Sequence, residues 1–379
     1  MSLLAEHRGL LDNLAARGRL RSLAPAVGVD FASNDYLGLA GSDLLRGLAA
    51  EALARGVRPG AGAARLLRGN DAEFAALEAE AAAHFGAPSA LFLANGYVAN
   101  LAIFSALPQT RDLMVHDALV HASAIDGMRL SGAAARAFAH NDVQAAADAI
   151  LAWRAEGGRG HVWIAVESLY SMEGDFAPLD DFHALAVATD AFLIVDEAHA
   201  TGIWGPEGRG RSAPWAAEER LVSLHTCGKA LGVSGALVCA APTLREVLVN
   251  RARGFIYSTA PSPLCAAILR GVLAHLGRDG SRRAALRARV EQAGRSARAV
   301  GLRPGNSQIL PVPIGEDHRA LRIAAGLQAA GFDIRAIRSP TVPKGSERLR
   351  LSLTLNPSDE DLAAMFAALA AALREERLI

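Results

Sequence analysis

This chain of 379 residues has few cysteines, no excess of one charge and no long hydrophobic run. Its three cysteines, Cys227, Cys239 and Cys265, show no CxxC spacing, so we expect no disulfide framework and a cytoplasmic location. The 39 Lys and Arg residues balance 39 Asp and Glu residues, which argues against a nucleic acid as the main partner. No apolar run approaches the ~18 residues that a membrane helix needs, so we expect no membrane association.

What the chain does have is a composition that can build a large core, since 51% of its residues are hydrophobic and 21% are charged. Short apolar runs alternate with helical stretches, and continuous apolarity predicts strands that are buried on both faces of a parallel sheet. The pattern predicts an α/β fold, and the length favours an enzyme. The predicted strands are residues 90–95, 113–116, 161–168, 191–199, 220–226 and 235–241.

The pattern changes after about residue 273. An Arg- and Ala-rich helical stretch is followed by short strands and by a final helix, which Ser358 and Asp361 open with a capping-box spacing. The pattern after residue 273 predicts a smaller α+β unit. We therefore predict an N-terminal helix and arm (1–40), a large unit (41–273) and a small C-terminal α+β unit (274–379).

Polar residues that follow the predicted strands are the candidates for chemistry, because ligands bind beyond the carboxyl ends of parallel strands. Asp196 ends one buried strand, where a carboxylate needs a partner to offset its desolvation. Lys229 follows the next strand and is surrounded by small residues. A desolvated lysine loses its charge more readily, and an uncharged amine is what a covalent amine catalyst needs. Taken singly, Asp196 fits an ordinary structural role equally well, and Lys229 fits one better.

Together, Asp196 and Lys229 suit pyridoxal phosphate, which needs a lysine for its aldehyde and an acid for its pyridine nitrogen. A helix that begins at Asn95, Gly96 and Tyr97 offers backbone N–H groups for the phosphate. A metal site formed by Asp196, Glu197 and His199 is the competing interpretation. We predict no metal there, because neither a second histidine at i+4 nor a cysteine cluster accompanies it.

Eight ordered segments resemble the α-oxoamine synthases, which are pyridoxal-phosphate enzymes of fold type I, and the resemblance runs almost from end to end. It implies a large domain with a mostly parallel seven-stranded sheet between helices, followed by a smaller α+β domain. The segments are FASNDYLGL (31–39), ANGYVAN (94–100), HDALVHAS (116–123), ESLYSMEGDFAPL (167–179), VDEAHATGIWGPEGRG (195–210), TCGKALGVSG (226–235), IYSTAPSP (256–263) and AIRSPTVPKGSERLRLS (336–352).

The resemblance implies roles for residues around the cofactor. Lys229 would bind the cofactor covalently, Asp196 would pair with its ring nitrogen, His199 would hydrogen-bond the ring oxygen and His121 would stack on the ring. These four would be the catalytic residues. The further cofactor contacts would be Gly96, Tyr97, Ser171, Thr226 and, from the neighbouring subunit of a homodimer, Thr259.

On the substrate side, the resemblance places Asn34 and Arg350 near the amino acid carboxylate, and Arg21 and Thr341 near the acyl substrate. It implies a decarboxylative condensation of L-alanine with a pimeloyl thioester, as in biotin synthesis. The thioester carrier would be coenzyme A or an acyl-carrier protein. Family members of the 5-aminolevulinate synthase and glycine C-acetyltransferase types are the alternatives, while the presence of Lys229 argues against a non-catalytic member.

Two departures from the family pattern concern the acyl donor. The usual GSGGSR segment is replaced by residues 60–65, in which Ala61 and Ala64 replace two hydroxyls, and Phe74 stands where the family has a histidine. We expect these positions to lie where the acyl substrate and its carrier approach. The donor would then meet a more apolar wall, although we still expect a long dicarboxylate-type thioester.

Overall fold

The structure is a computed structural model that describes residues 3–23 and 25–379. Its centre is a seven-stranded sheet with the order β2-β8-β7-β6-β5-β3-β4, in which β8 runs antiparallel to both of its neighbours and the other adjacent pairs are parallel. The predicted α/β class with a mostly parallel sheet is confirmed. The strands are β2 (Ser89–Leu93), β3 (Leu113–Asp117), β4 (Ala134–Phe138), β5 (Val162–Glu167), β6 (Phe192–Asp196), β7 (Leu221–Thr226) and β8 (Ala236–Ala240).

Helices cover both faces of this sheet, because β3, β5 and β7 are buried along their whole length and must be shielded from water on either side. One cluster packs helix residues such as Ile103 against Ile194 and Val222, and a second packs Ile150 and Phe182 on the opposite face. The helices are α2 (Asp43–Ala54), α3 (Ala72–Phe85), α4 (Gly96–Ala106), α5 (Ala122–Ser131), α6 (Val143–Ala155), α7 (Leu179–Ala188), α8 (Pro242–Arg251), α9 (Arg253–Ile256) and α10 (Pro263–Arg278).

The C-terminal part forms a separate antiparallel sheet of order β11-β12-β9 with its own apolar cluster. Asp361 and Ser358 form the predicted capping box at the start of the last helix. Helix α10 is continuous through residue 273, so the predicted end of the large unit lies inside a helix, and the division into units stays a prediction. The elements are α11 (Ser281–Ala299), β9 (Ile309–Pro313), α12 (Asp317–Ala329), β10 (Phe332–Asp333), β11 (Arg335–Ile337), β12 (Arg348–Ser352) and α13 (Asp359–Glu375).

The N-terminal segment begins with α1 (Ala5–Ala16), which buries none of its side chains. It continues through an arm to β1 (Val29–Asp30), which pairs in parallel with β10 of the C-terminal part. In the described part of the chain, no helix combines the length and apolarity needed to cross a membrane.

Candidate active site

The carboxyl ends of β5, β6 and β7 bring Glu167, Asp196 and Thr226 to one edge of the central sheet. These strands are neighbours and parallel, so their last residues open into the same space. A cavity of about 160 Å³ lies there, and we call it the lysine cavity. It is lined by Gly96, Tyr97, Asn100, His121, Ser123, Glu167, Asp196, Ala198, His199, Leu224, Thr226 and Lys229.

Lys229 enters the cavity from the tight loop between β7 and β8. The loop is closed by hydrogen bonds from Cys227 N to Gly235 O (2.9 Å) and from Val233 N to Cys227 O (3.0 Å). Gly235 has a φ of +139°, and a Cβ there would lie 2.4 Å from the Phe92 ring, so only glycine fits. The small residues around Lys229 therefore let this loop fold back against the sheet.

Burial lowers the pKa of Lys229 to about 8, although the charges of Asp196 and Glu167 oppose this shift. Burial also raises the pKa of Glu167 well above its usual value, and the nearby charge of Asp196 adds to this effect. Burial therefore favours the neutral acid form of Glu167, and the Lys229 amine gives up its proton more readily than an ordinary lysine. A lysine in this condition is suited to act as a nucleophile and as a base.

His199 connects Lys229 to a hydrogen-bond chain behind the cavity. Its Nε2 lies 2.8 Å from Lys229 Nζ, and its Nδ1 lies 2.7 Å from the Tyr36 hydroxyl. The pKa of His199 is well below its usual value because the ring is buried and faces the charges of Lys229 and Arg350. A neutral ring with its proton on Nδ1 can donate to Tyr36 and accept from Lys229, which leaves the Tyr36 hydroxyl to donate to Asn34 Oδ1 at 2.9 Å.

Asp196 is fixed in place through both of its carboxylate oxygens. Asn100 Nδ2 donates to Oδ2 at 2.9 Å, and the backbone N–H of Ala198 donates to Oδ1 at 2.9 Å. Asn100 also donates to the Ser123 hydroxyl, while its own Oδ1 is buried without a partner among the described residues. The carboxylate is thus oriented in advance for a cationic group inside the cavity.

The N-terminus of α4 forms another wall of the cavity. The Asn95 side chain caps this helix by accepting from Val98 N at 2.9 Å, and the next two residues, Gly96 and Tyr97, line the cavity. A Cβ on Gly96 would lie 3.2 Å from the Thr226 hydroxyl, so glycine keeps this corner open. A helix N-terminus beside a hydroxyl group is suited to hold an anion such as a phosphate.

His121 stands at the mouth of the cavity and caps α5. Its Nδ1 accepts from Ser123 N at 3.2 Å and lies 2.7 Å from the Ser123 hydroxyl. Its ring meets the half-exposed Tyr97 ring edge to face, with the two centroids 6.4 Å apart. Burial lowers the pKa of His121, so an uncharged ring is available to stack on a planar ligand.

Arg350 lies behind His199, 7% exposed, and connects the cavity to the C-terminal sheet. Its Nη2 donates to Asn34 Oδ1 (3.0 Å) and to the Tyr36 hydroxyl (3.2 Å), and its Nη1 donates to Ser352 Oγ (2.7 Å). Its Nε donates to the backbone oxygen of Ser171 at 2.6 Å. The predicted pair of Asn34 and Arg350 is therefore in contact, whereas Ser171 meets Arg350 through its backbone and does not line the lysine cavity.

Arg21 and Thr341 lie in a second and larger cavity of about 700 Å³, which we call the arm cavity. It lies between the N-terminal arm and the segment that follows β11. Thr259 lines neither cavity, and its side chain is exposed. The lining residues of the arm cavity are Leu11, Leu14, Arg19, Leu20, Arg21, Ala336, Ile337, Arg338, Ser339, Pro340 and Thr341.

The expectation that Phe74 faces the acyl donor is wrong for this chain. Its ring is 0% exposed, packs against Phe92 at 5.9 Å between centroids and lies under the Arg65 guanidinium. Neither Ala61 nor Ala64 lines either cavity. Arg65 itself forms a buried ion pair with Glu78, so this part of the segment contributes to the core.

Sequence reasoning assigned no role to three residues of the site: Tyr36, Asn100 and Glu167. Tyr36 lies inside the segment quoted for the family resemblance, and Asn100 is one helical turn after Gly96, so it faces the same way. Glu167 ends a predicted buried strand, as Asp196 does. The strand-end rule that singled out Asp196 applies equally to Glu167, whereas nothing local indicates Tyr36, which reaches His199 across 163 residues.

The lysine cavity contains the groups that pyridoxal phosphate requires. They are an amine of lowered pKa at Lys229, a carboxylate at Asp196 and a helix N-terminus with a hydroxyl group at Gly96 and Thr226. The buried Oε1 of Glu167 has no partner among the described residues. An unpaired buried polar atom in a cavity wall is typical of a site built to hold a polar ligand.

Comparisons with known proteins show the family of this chain. The family model "Aminotransferase class I and II" matches residues 26–369. An 8-amino-7-oxononanoate synthase of Burkholderia thailandensis is 41% identical over 394 residues, which span 97% of this chain and 98% of that protein.

Two solved structures share the fold. Serine palmitoyltransferase of Sphingomonas wittichii has a TM-score of 0.89 at 26% identity, covering 100% of both chains. The 8-amino-7-oxononanoate synthase of Francisella tularensis has a TM-score of 0.77 at 26% identity, covering 92% of this chain and 99% of that one. By its sequence and its fold, the chain belongs to the aminotransferase class I and II family, among the relatives of the 8-amino-7-oxononanoate synthases.

Proposed function

We propose that this chain is a pyridoxal-phosphate-dependent acyltransferase of biotin biosynthesis. It condenses L-alanine with a pimeloyl thioester and forms 8-amino-7-oxononanoate, CO2 and the free thiol. The new bond joins the alanine Cα to the acyl carbon, while the bonds to the thiol sulfur and to the alanine carboxyl carbon break. The electrons left by CO2 are taken up with a proton at the same carbon.

One observation carries this proposal: Lys229, Asp196 and His199 line a single cavity in a chain that matches 8-amino-7-oxononanoate synthases along nearly its whole length. Bound pyridoxal phosphate supplies an electron sink for the negative charge that develops at Cα. The protein groups then decide where protons are held and how the substrates are oriented.

Lys229 would hold the cofactor through its amine and would serve as the base that takes the proton from the alanine Cα. A pKa of about 8 suits this role, because roughly a tenth of the amine is uncharged at pH 7, far more than for an ordinary lysine. Asp196 keeps a proton on the ring nitrogen, for which Asn100 and the N–H of Ala198 hold its carboxylate in place. His199 donates toward the ring oxygen or accepts from Lys229, as its neutral state permits.

The remaining groups hold the ends of the ligands. Gly96, Tyr97 and Thr226 would bind the phosphate, and His121 would cover the ring. Ser171, which does not line the lysine cavity in this structure, stays a predicted further contact of the cofactor. Arg350 and Asn34 bind the amino acid carboxylate by a charge-assisted contact. In the structure, four of the five guanidinium N–H groups of Arg350 have protein partners, so an incoming carboxylate takes the free one and displaces a neutral acceptor.

The acyl donor occupies the arm cavity, where Arg21 and Thr341 contact it. Its size and its mixture of arginine and leucine side chains suit a long chain that ends in a carboxylate. Coenzyme A and an acyl-carrier protein are the two carriers that such an open cavity can admit.

The working unit is a homodimer in the cytoplasm. Thr259 is exposed and remote from the lysine cavity of its own chain, which fits a residue that reaches the phosphate of the partner. Leu10 of α1, which is exposed and does not line the arm cavity, offers further surface for a subunit contact. The three cysteines are free, as the reducing cytoplasm requires.

The experiment that tests the proposal measures turnover of L-alanine, glycine and L-serine against acetyl, succinyl, pimeloyl and palmitoyl thioesters. Each donor is supplied on coenzyme A and on an acyl-carrier protein. We expect L-alanine with a pimeloyl thioester to give the highest kcat/KM. Faster turnover of glycine with a short donor, or of serine with palmitoyl donor, would assign the chain to another activity of the family.

A further inference from the structure

A second polar cluster lies outside the active site, at the ends of β3 and β4. Asp117 ends β3 and is 0% exposed. Its carboxylate lies 3.0 Å from His140 Nδ1 and accepts backbone N–H groups from Leu119 (2.8 Å) and Asn141 (2.7 Å). Asp117 thus anchors His140 and Asn141, which follow β4, against the central sheet.

The other face of this cluster holds Asp175. His140 Nε2 lies 3.0 Å from Asp175 Oδ2, and Asn141 Nδ2 donates to the same oxygen at 3.1 Å. The second oxygen of Asp175 is buried without a partner in the described part of the chain, so the cluster holds this carboxylate by one oxygen. Tyr170 packs edge to face on the His140 ring, with the centroids 4.4 Å apart.

His140 contacts carboxylates through both ring nitrogens, and only the protonated ring has an N–H group for each. Burial lowers its pKa, but the hydrogen bonds and charges of Asp117 and Asp175 outweigh burial and raise the pKa to about 10. The other charged groups nearby, Glu173 and Arg348, pair with each other at 3.0 Å. His140 is therefore an imidazolium between two carboxylates at neutral pH.

Asp175 belongs to a tight turn that also carries Ser171. The turn is closed by Tyr170 N donating to Asp175 O (3.0 Å) and by Gly174 N donating to Tyr170 O (2.9 Å). Gly174 has a φ of +68°, and a Cβ there would lie 2.2 Å from Ile309 O, so the turn presses directly on β9. Because these hydrogen bonds hold the turn together, we expect a shift of Asp175 to move Ser171 as well.

The opposite side of the turn faces the substrate-binding arginine. Ser171 O accepts from Arg350 Nε at 2.6 Å, and Met172 O accepts from Arg348 at 2.9 Å. The Ser307 hydroxyl donates to Gly174 O at 2.7 Å. The turn therefore has His140 on one side and Arg350 on the other.

We propose that His140 is a positioning residue for the amino acid substrate: by holding Asp175, it fixes the turn whose Ser171 oxygen orients the Arg350 guanidinium. His140 does not touch the substrate or the cofactor. Replacement of His140 leaves the lysine cavity intact and weakens only the binding of the amino acid carboxylate. This inference rests on the proposed role of Arg350.

The test compares His140→Gln with His183→Gln in the cofactor-loaded, full-length protein. His183 is a matched control, since it also pairs with a carboxylate (Glu218, 3.0 Å) and packs on an aromatic ring, yet it makes no contact with the turn. Amino acid binding is followed by the change in cofactor absorbance without any thioester present. We expect His140→Gln to weaken binding roughly 5- to 20-fold, because a charge-assisted contact in the support is lost, while His183→Gln has no effect.

Two further measurements separate positioning from general damage. The KM for the thioester and kcat should change less than twofold in His140→Gln. In the background of Arg350→Lys, the His140 substitution should have little further effect, since the two act as one unit. Unchanged amino acid binding, an equal loss for both substrates, or additive effects in the double variant would each overturn the proposal.

Asp175→Asn provides a second route if His140→Gln does not fold, because it keeps the volume of the side chain and removes the charge that holds His140. It should weaken amino acid binding to a similar degree, and normal binding by this variant would reject the mechanism. The amino acid used is the one that the wild-type protein binds most tightly among glycine, L-alanine and L-serine. A wrong substrate assignment thus shows in the wild type, separately from any failure of the positioning role.

Discussion

The lysine cavity and the arm cavity differ in size and in what holds their walls. The lysine cavity measures about 160 Å³, and its polar groups project from strand ends and a capped helix. The arm cavity measures about 700 Å³ and is built from the N-terminal arm and the segment after β11. Among its arginines, Arg338 is bound by Asp317 and by the backbone oxygen of Gly18.

The difference shows that the two cavities suit different parts of the proposed reaction. Groups that handle protons need fixed geometry, and sheet ends supply it because the strands are packed on both faces. The groups proposed to contact the acyl donor lie on peripheral segments, which can vary without disturbing the sheet. Substitutions in the lysine cavity should therefore change kcat, and substitutions in the arm cavity should change the KM of the donor.

The largest effect is expected from Lys229→Ala, which removes both the covalent attachment and the base. Turnover should fall by more than about 100-fold, since losing a positioned base alone costs about 10²- to 10⁴-fold. The fold should persist, because the Lys229 loop is closed by backbone hydrogen bonds. Turnover is measured with alanine and a pimeloyl thioester, with circular dichroism as the control for folding. Activity above about 1% of wild type would contradict the role of Lys229.

Asp196→Asn should come next. It keeps the shape of the side chain but removes the negative charge that holds a proton on the ring nitrogen. We expect kcat to fall about 100-fold, as for the loss of one preorganised electrostatic group, with the Kd for alanine nearly unchanged. Steady-state kinetics and a binding titration measure the two quantities. If neither changes, Asp196 is a structural carboxylate at a strand end.

Arg21→Ala tests the arm cavity. Loss of a charged contact should raise the donor KM about tenfold and leave the KM for alanine unchanged. Arg17→Ala is the control, since Arg17 is exposed on the same segment and does not line the cavity. Equal effects of the two substitutions would show that only the net charge of the arm matters.

The last prediction concerns the pH dependence of cofactor capture by the unsubstituted protein. The free amine is the nucleophile, so the rate at which cofactor-free protein captures pyridoxal phosphate should rise about tenfold per pH unit below the pKa of Lys229 and level off near 8. Stopped-flow absorbance between pH 6 and pH 10 measures this rate. Because the Asp196 charge raises the pKa of Lys229, Asp196→Asn should move the break to lower pH. A break near the ordinary lysine value of 10.5 would show that the amine is not desolvated.

Much of the central sheet could be predicted, because strands buried on both faces must be continuously apolar. The predicted runs near residues 90, 113, 161, 191, 220 and 235 all overlap strands of the sheet. Strand β4 was missed for the converse reason. It lies at the edge, most of its side chains are half-buried or exposed, and its alanines are weak strand formers.

The sequence by itself determined the chemistry of the lysine cavity, because an acid and an amine at the ends of successive buried strands must open toward the same edge of a parallel sheet. Only the tertiary structure decided which side chains hold that chemistry in place. Arg350 reaches Asn34 across 316 residues, and His140 reaches Asp175 across 35. It also decided that Phe74 is a core residue, a fact that depends on the packing of Phe92 and Arg65 around it. Such contacts follow from how layers pack, and local sequence contains no signal for them.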